Sequence, residues 1–286
     1  MGRTVDWNWR RATGPLASRS EGKAMVVTGT VLLNECQKRL IIMWSYRFNF
    51  MLETFMIGFL FVGISFFVSG GRPTAEQMAP ALLGYLTWFF AVFAISDMSQ
   101  GIREETQTGT LEQMYMSPLP SGLLLAGRSV ASIFISSGMV ILIGGILMLG
   151  LGIRIPLRVE GVPVFALTLV GLYGFAFFLG GATLVFKQVN ALSNLLTNML
   201  LFLNGSFLTV ERMPGWLEGF ARSLPSTQGI DVLRRVVLDE MSLASVWQDG
   251  SLVWLTVHTV VFLFAGWGVF LWGEQVARGR GLLGQY

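Results

Sequence analysis

The sequence predicts an all-α polytopic membrane protein: six transmembrane helices, an N-terminal interfacial amphipathic helix before them, and short outer-leaflet helices between the fifth and sixth spans. Three observations carry this reading. Hydrophobic residues make up 53% of the 286 residues and charged residues 13%, where a soluble domain carries about 25% charged. Mean hydropathy is +0.61. The apolar residues also gather into runs near the length of about 20 residues that crosses a hydrocarbon core as a helix.

The runs are residues 51–70, 78–98, 123–151, 164–186, 191–210 and 252–272. Backbone groups in lipid must bond within their own segment. The runs are too long and too unalternating for barrel strands, so each is read as a helix. The organisation that follows is a flexible tail (1–28), an amphipathic interfacial helix (29–48), a six-helix domain (49–275) and a C-terminal tail (276–286). Net charge is +3, but the basic residues cluster at membrane edges rather than in a nucleic-acid patch. Lipid is therefore an expected partner and nucleic acid is not. The single cysteine, Cys36, excludes an internal disulfide.

The N-terminal region divides in two. The tail is polar and rich in Gly, Ser and Arg. The first 47 residues hold no central apolar run, so no cleavable signal peptide is expected. Leu33, Cys36, Leu40, Trp44 and Phe48 recur at three- or four-residue steps, with Asn34, Glu35, Lys38, Arg39 and Ser45 largely on other faces. Such a helix lies in the membrane interface. A plain surface anchor and a packing face for a cytoplasmic partner both fit it.

Orientation follows from Lys and Arg. With the N-terminus inside, 13 basic residues are cytoplasmic and 7 external, and both termini are cytoplasmic. The expected location is the cytoplasmic membrane.

The cytoplasmic loop 101–122 is the most informative stretch. Thr110 and Gln113 form a capping box, and Pro118 disfavours helical geometry at Ser117. The result is a short helix over 111–116 that presents Leu111, Met114, Tyr115 and Met116. Gly109 lets the chain turn before the cap, and Glu104, Glu105 and Glu112 supply charge. A short apolar-tipped helix on a polar loop suits a groove in another protein. Resting on the bilayer is the alternative.

The fifth run is unusually polar. Asn190, Asn194, Thr197, Asn198, Asn204 and Ser206 recur at four- and seven-residue steps, so several share a broad face. Amides and hydroxyls glue helices in lipid, and they also line transport paths. The second run adds Tyr85, Trp88, Val92 and Ser99 on one side. In the outer loop 211–250, Leu217, Phe220 and Leu224 repeat at helical spacing. Ile230, Leu233, Val237 and Met241 do so again after Pro225, giving two short helices dipped against the outer leaflet.

Catalytic chemistry lacks its parts. His258 is the only histidine, sits in the last run with no carboxylate in that run, and reads as a neutral packing residue. Asp97 and Glu53 fall near span ends where water reaches them. There is no H-E-x-x-H, no G-x-S-x-G and no G-x-x-x-x-G-K-[ST] phosphate loop. Neither enzyme activity nor a bound metal or cofactor is expected, and any ATP is bound by a partner.

The central loop resembles the signature of the type-two ABC transporter permeases: an acidic/basic pair, then G-T-L-E, then a Pro-containing turn into the third span. Here these are Arg103, Glu104, Glu105, Gly109, Thr110, Leu111, Glu112 and Pro118. A second match lies before the last span, in Pro214, Gly215, Trp216 and Leu217 and in L-P-S-T-Q-G-I-D-V-L-R-R from Leu224 to Arg235. The resemblance implies half of a dimeric membrane channel that exports a substrate using a separate ABC ATPase subunit. It makes 111–116 the coupling helix, with Lys187 and Gln188 as a smaller second contact. A second permease subunit, identical or different, is implied as partner. The family exports drugs, glycolipids, polysaccharides and ions, and no residue set here selects among them. A secondary transporter, which would need intramembrane charges for ion coupling, and a non-transporting assembly subunit are the alternatives.

Overall fold

The computed structural model describes residues 47–107, 121–186 and 189–279. Every regular element among them is a helix. The tail 1–28, most of the interfacial helix 29–48, the capped helix 111–116, the Lys187–Gln188 contact and residues 280–286 of the C-terminal tail lie outside the described residues.

Helix α1 (Arg47–Val68) is 22 residues rich in Phe, Leu and Met, about 33 Å of helix. It ends in two left-handed glycines, Gly70 (φ 69°) and Gly71 (φ 91°), and Gly71 N donates to Phe66 O at 2.8 Å. Glycine takes this conformation without a Cβ penalty, so the pair terminates the helix. Thr74 then caps α2 (Ala75–Gln107): Thr74 Oγ1 accepts from Gln77 N and Gln77 Oε1 accepts from Thr74 N, both at 3.4 Å.

The remaining helices are α3 (Ser121–Leu151), α4 (Gly161–Val185), α5 (Asn190–Leu203), α6 (Gly215–Ser223), α7 (Pro225–Val237), α8 (Leu243–Gln248) and α9 (Ser251–Gly279). Four helices are long and apolar enough to cross a membrane: Ala75–Ile102, Ser132–Leu151, Gly161–Val185 and Ser251–Gly279. Thr54–Val68 and Ala191–Leu203 are apolar but shorter. Of the six spans expected, four thus correspond to helices of crossing length and two to shorter apolar helices among the described residues.

Two boundaries differ from the sequence reading for clear reasons. The loop expected from residue 101 starts later, because α2 runs on through Gln107. The segment R-E-E-T-Q holds no helix breaker before Gly109, and its Arg, Glu and Gln are good helix formers. The fifth span, expected over 191–210, stops at Leu203 after 14 residues, about 21 Å of helix. Asn204 Oδ1 accepts from Ser206 N at 2.9 Å and from Ser206 Oγ at 2.6 Å. This local turn competes with the helical ladder, and Gly205 sits within it at φ 81°.

Glycines set the closest helix contact. Ideal Cβ atoms on Gly174 and Gly181 of α4 would lie 2.6 Å from Leu263 N and 2.7 Å from Val269 O of α9. Cβ atoms on Gly266 and Gly273 would overlap the carbonyls of Gly174 and Gly181. Both helices carry glycine at a seven-residue step, and the pairs advance together, so α4 and α9 run parallel. Small residues let backbones approach where no hydrophobic force drives helices together in lipid. Parallel α4 and α9 require the chain to return between them. Helix α5 supplies only part of that return, and the non-helical 204–209 segment supplies more.

That segment is tolerated because protein encloses it. Asn204, Gly205 and Ser206 are buried. Ser206 packs so tightly on α2 that a Cβ on Gly84 would lie 2.6 Å from Ser206 Oγ. Irregular backbone at membrane depth persists only under such cover. Helix α2 is the enclosed centre, with Leu82, Tyr85, Phe90 and Ile95 essentially buried.

Candidate functional site

The residues expected on the transport path fall into two groups. Tyr85 and Trp88 of α2 are spent inside the subunit. Tyr85 Oη donates to Ile57 O at 2.8 Å, and Trp88 Nε1 donates to Thr197 O at 2.7 Å. The Tyr85 ring lies 5.2 Å from the rings of Phe61 and Trp88 and 5.9 Å, edge-on, from that of Phe207. These contacts fasten α1, α2 and α5 to one another. Thr197 Oγ1 returns to Ser193 O at 2.8 Å, a local helical bond.

Asn194 and Asn198 are different. Both are exposed on α5, one helical turn apart. Leu195, Met199 and Phe202 are exposed beside them, and an apolar groove runs from these residues to Trp216, Leu217 and Phe220 of α6. Asn204 does not share this face: it lies past the end of α5 and is 1% exposed. Asn190 opens α5. Arg103, Glu104 and Glu105 lie on the last turns of α2. Gly109, Thr110, Leu111, Glu112, Met114 and Tyr115 lie outside the described residues.

The α6–α7 hairpin holds Arg234, which the sequence reading quoted within L-P-S-T-Q-G-I-D-V-L-R-R without giving it a role. Arg234 reaches across to α2: Nε and Nη2 donate to Pro80 O at 3.0 and 2.7 Å, and Nη2 donates to Ser206 O at 3.0 Å. One side chain thereby ties α2, the 204–209 segment and α7. Burial works against the Arg234 charge and lowers its pKa, while Asp231 and Glu211 favour the charge. The signal was present in the sequence. Ile230, Arg234 and Val237 lie at steps of four and three, so Arg234 belongs to the buried face that the apolar residues define. Its neighbour Arg235 faces the other way, pairing with Asp231 at 3.0 Å and Asp249 at 3.3 Å.

The expected pair of outer helices corresponds to α6 and α7, with α8 as an addition. Ile230, Leu233 and Val237 are buried. The second helix ends at Val237, short of Met241. Trp216, Trp247 and Trp254 are all exposed at this end of the bundle, an aromatic girdle of the kind found at membrane interfaces. His258 of α9 donates from Nε2 to Ser223 O at 3.1 Å, since a carbonyl can only accept. Its ring lies against Trp254 and Phe262 at 6.0 and 5.0 Å. This arrangement holds the hairpin to α9. Among the described residues no group of three or more His, Cys, Asp or Glu could hold a metal ion.

A family model described as "ABC-2 family transporter protein" matches residues 49–267. Two relatives carry the name "Probable multidrug ABC transporter permease YbhR", from Escherichia coli strain K12 and from Escherichia coli O157:H7. Each is 26% identical over 181 residues, 60% of this chain and 46% of the relative. The match therefore spans less than half the length of these relatives.

Proposed function

This chain belongs to the ABC-2 transporter family, and we propose that it is the permease subunit of an exporter whose ATP hydrolysis is performed by a separate ABC ATPase. The family membership makes it a membrane component of an ABC transporter, a class whose membrane subunits leave ATP hydrolysis to the partner. The match to residues 49–267 carries the proposal, since it covers α2, α3, α4, the α6–α7 hairpin and the first part of α9 together.

Export works by alternating access between two permease subunits. The exposed amides of Asn194 and Asn198 support this reading. Amide groups facing lipid are costly, so this face meets protein or water. The neighbouring apolar groove favours a second permease subunit over water alone. ATPase docking falls to the helix that the sequence predicts over 111–116, and the continuation of α2 through Gln107 lengthens that span beyond its apolar run.

The test is copurification and coupled ATP hydrolysis. Glu112→Arg and Gly109→Val should weaken ATPase docking while the protein still inserts. Thr110→Ala should be milder, since a lost cap costs about 1 kcal/mol. If both stronger variants keep normal complex assembly and normal transport, the coupling assignment fails.

A further inference from the structure

The connections between α1 and α2, between α3 and α4, and between α5 and α9 meet at one end of the bundle. There a cavity of about 550 Å³ opens between α2, α7 and the 204–211 segment. Small-molecule sites fall in the range of about 300–1,000 Å³.

The wall of this cavity holds polar groups that the fold leaves unspent. Asn204 is 1% exposed and Thr227 is 4% exposed. Asn204 Nδ2 and Thr227 Oγ1 have no hydrogen-bond partner among the described residues. Arg234 commits Nε and Nη2 to carbonyls and leaves Nη1 outside those bonds. Arg154, on the α3–α4 connection, is exposed and forms no ion pair or hydrogen bond among the described residues. The other two arginines of the wall, Arg222 and Arg235, are each held by two carboxylates.

The unspent donors are those of Arg154, Arg234, Asn204 and Thr227, two of them cationic, and the carboxylates of Glu76 and Asp239 stand unpaired in the same wall among the described residues. Asp231 and Glu211 favour the Arg234 charge, whereas the Arg154 guanidinium has no carboxylate partner among the described residues. The complement is an anion rich in acceptors. The donors come from three separate segments, so a tetrahedral oxyanion meets them from more directions than a planar carboxylate does. Guanidinium pairs well with phosphate oxygens. Glu76 and Asp239 are exposed and also line the cavity, so a phosphate ester carrying a cation is accommodated as well.

We propose that this cavity binds the phosphate group of a small ester or headgroup, held by Arg154, Arg234, Asn204 and Thr227. The same chemistry is offered by a soluble phosphate ester and by a phospholipid headgroup. The site lies within one subunit, away from the exposed face of α5.

The test uses the full chain in maltoside detergent, which brings no phosphate. Glycerol 3-phosphate is the soluble probe, read by calorimetry, and phosphatidylglycerol is the lipid probe, read by native mass spectrometry. Saturable binding of at least one is expected. Arg154→Gln should weaken it about tenfold, the scale of one charge-assisted contact. Thermal unfolding of Arg154→Gln should match the wild type, because Arg154 holds no partner among the described residues. Thr227→Val, which keeps the side-chain shape, should weaken binding by a smaller factor. Binding of glycerol 3-phosphate identifies a soluble ligand, and binding of the lipid alone identifies a headgroup. Binding of neither probe, or binding unchanged by both variants, overturns the proposal. The ATPase takes no part, so failure here leaves the permease reading standing.

Discussion

Arg234 Nη2 lies 2.7 Å from the carbonyl oxygen of Pro80, across 154 residues of sequence. The bond joins the outer hairpin to the start of the innermost helix, and the same Nη2 also reaches Ser206 O. The non-helical segment after α5 is thus fastened by a charged donor rather than by packing alone.

Replacing Arg234 with Met should destabilise the protein by about 1–3 kcal/mol, because enclosed carbonyls lose their donors. Arg234→Lys should recover only part, since an ammonium lacks the planar fork that serves two carbonyls. Thermal unfolding of the purified variants measures this. Equal stability of Arg234→Met and wild type would show that solvent already satisfies these carbonyls.

The glycine seam gives a second prediction. Gly266→Ala places a methyl against the Gly174 carbonyl and should cost about 1–3 kcal/mol, the usual penalty of overpacking. Gly268→Ala, on the same helix, meets nothing within 4 Å and should be neutral or slightly stabilising. Unfolding temperatures of the two variants, measured side by side, decide it. A Gly266→Ala protein as stable as Gly268→Ala would mean that α4 and α9 separate readily.

Seam and latch were unequally legible. The seven-residue glycine steps stand in the sequence at 174 and 181 and at 266 and 273. Which glycine meets which backbone depends on two helices about 90 residues apart, and periodicity within one helix carries no such information.

Topology supplies a third prediction. In a Cys36→Ser background, single cysteines at Glu160 and Gly219 should react with an impermeant thiol reagent in whole cells, and one at Gln107 should not. Gly219 is chosen because a Cβ there meets nothing within 4 Å. Labelling of Gln107 without Gly219 would invert the orientation.

The exposed face of α5 supplies a fourth. Asn194→Leu and Asn198→Leu should change substrate stimulation of ATPase activity more than they change dimer yield. If dimer loss tracks activity loss instead, the face acts as helix–helix glue. Cysteines at Asn198 should crosslink across subunits in at least one of the nucleotide-free and ATP-trapped states.

The sequence by itself determined the class, the number of apolar segments and the family likeness, because these rest on composition and short-range periodicity. Lipid enforces helix on any long apolar run, so α2, α3, α4 and α9 could be read directly. The two outer helices were legible from the repeats at Leu217 and Ile230. Tertiary structure alone decided where α5 ends, since Asn204, Gly205 and Ser206 form a turn that stays enclosed only against Gly84 of α2. It also decided that Tyr85 and Trp88 fasten helices while Asn194 and Asn198 stay exposed. The sequence placed all four in one expected transport-path or dimer-contact group. The partners of Tyr85 and Trp88, Ile57 O and Thr197 O, are backbone atoms of other helices, and only folding brings those within reach.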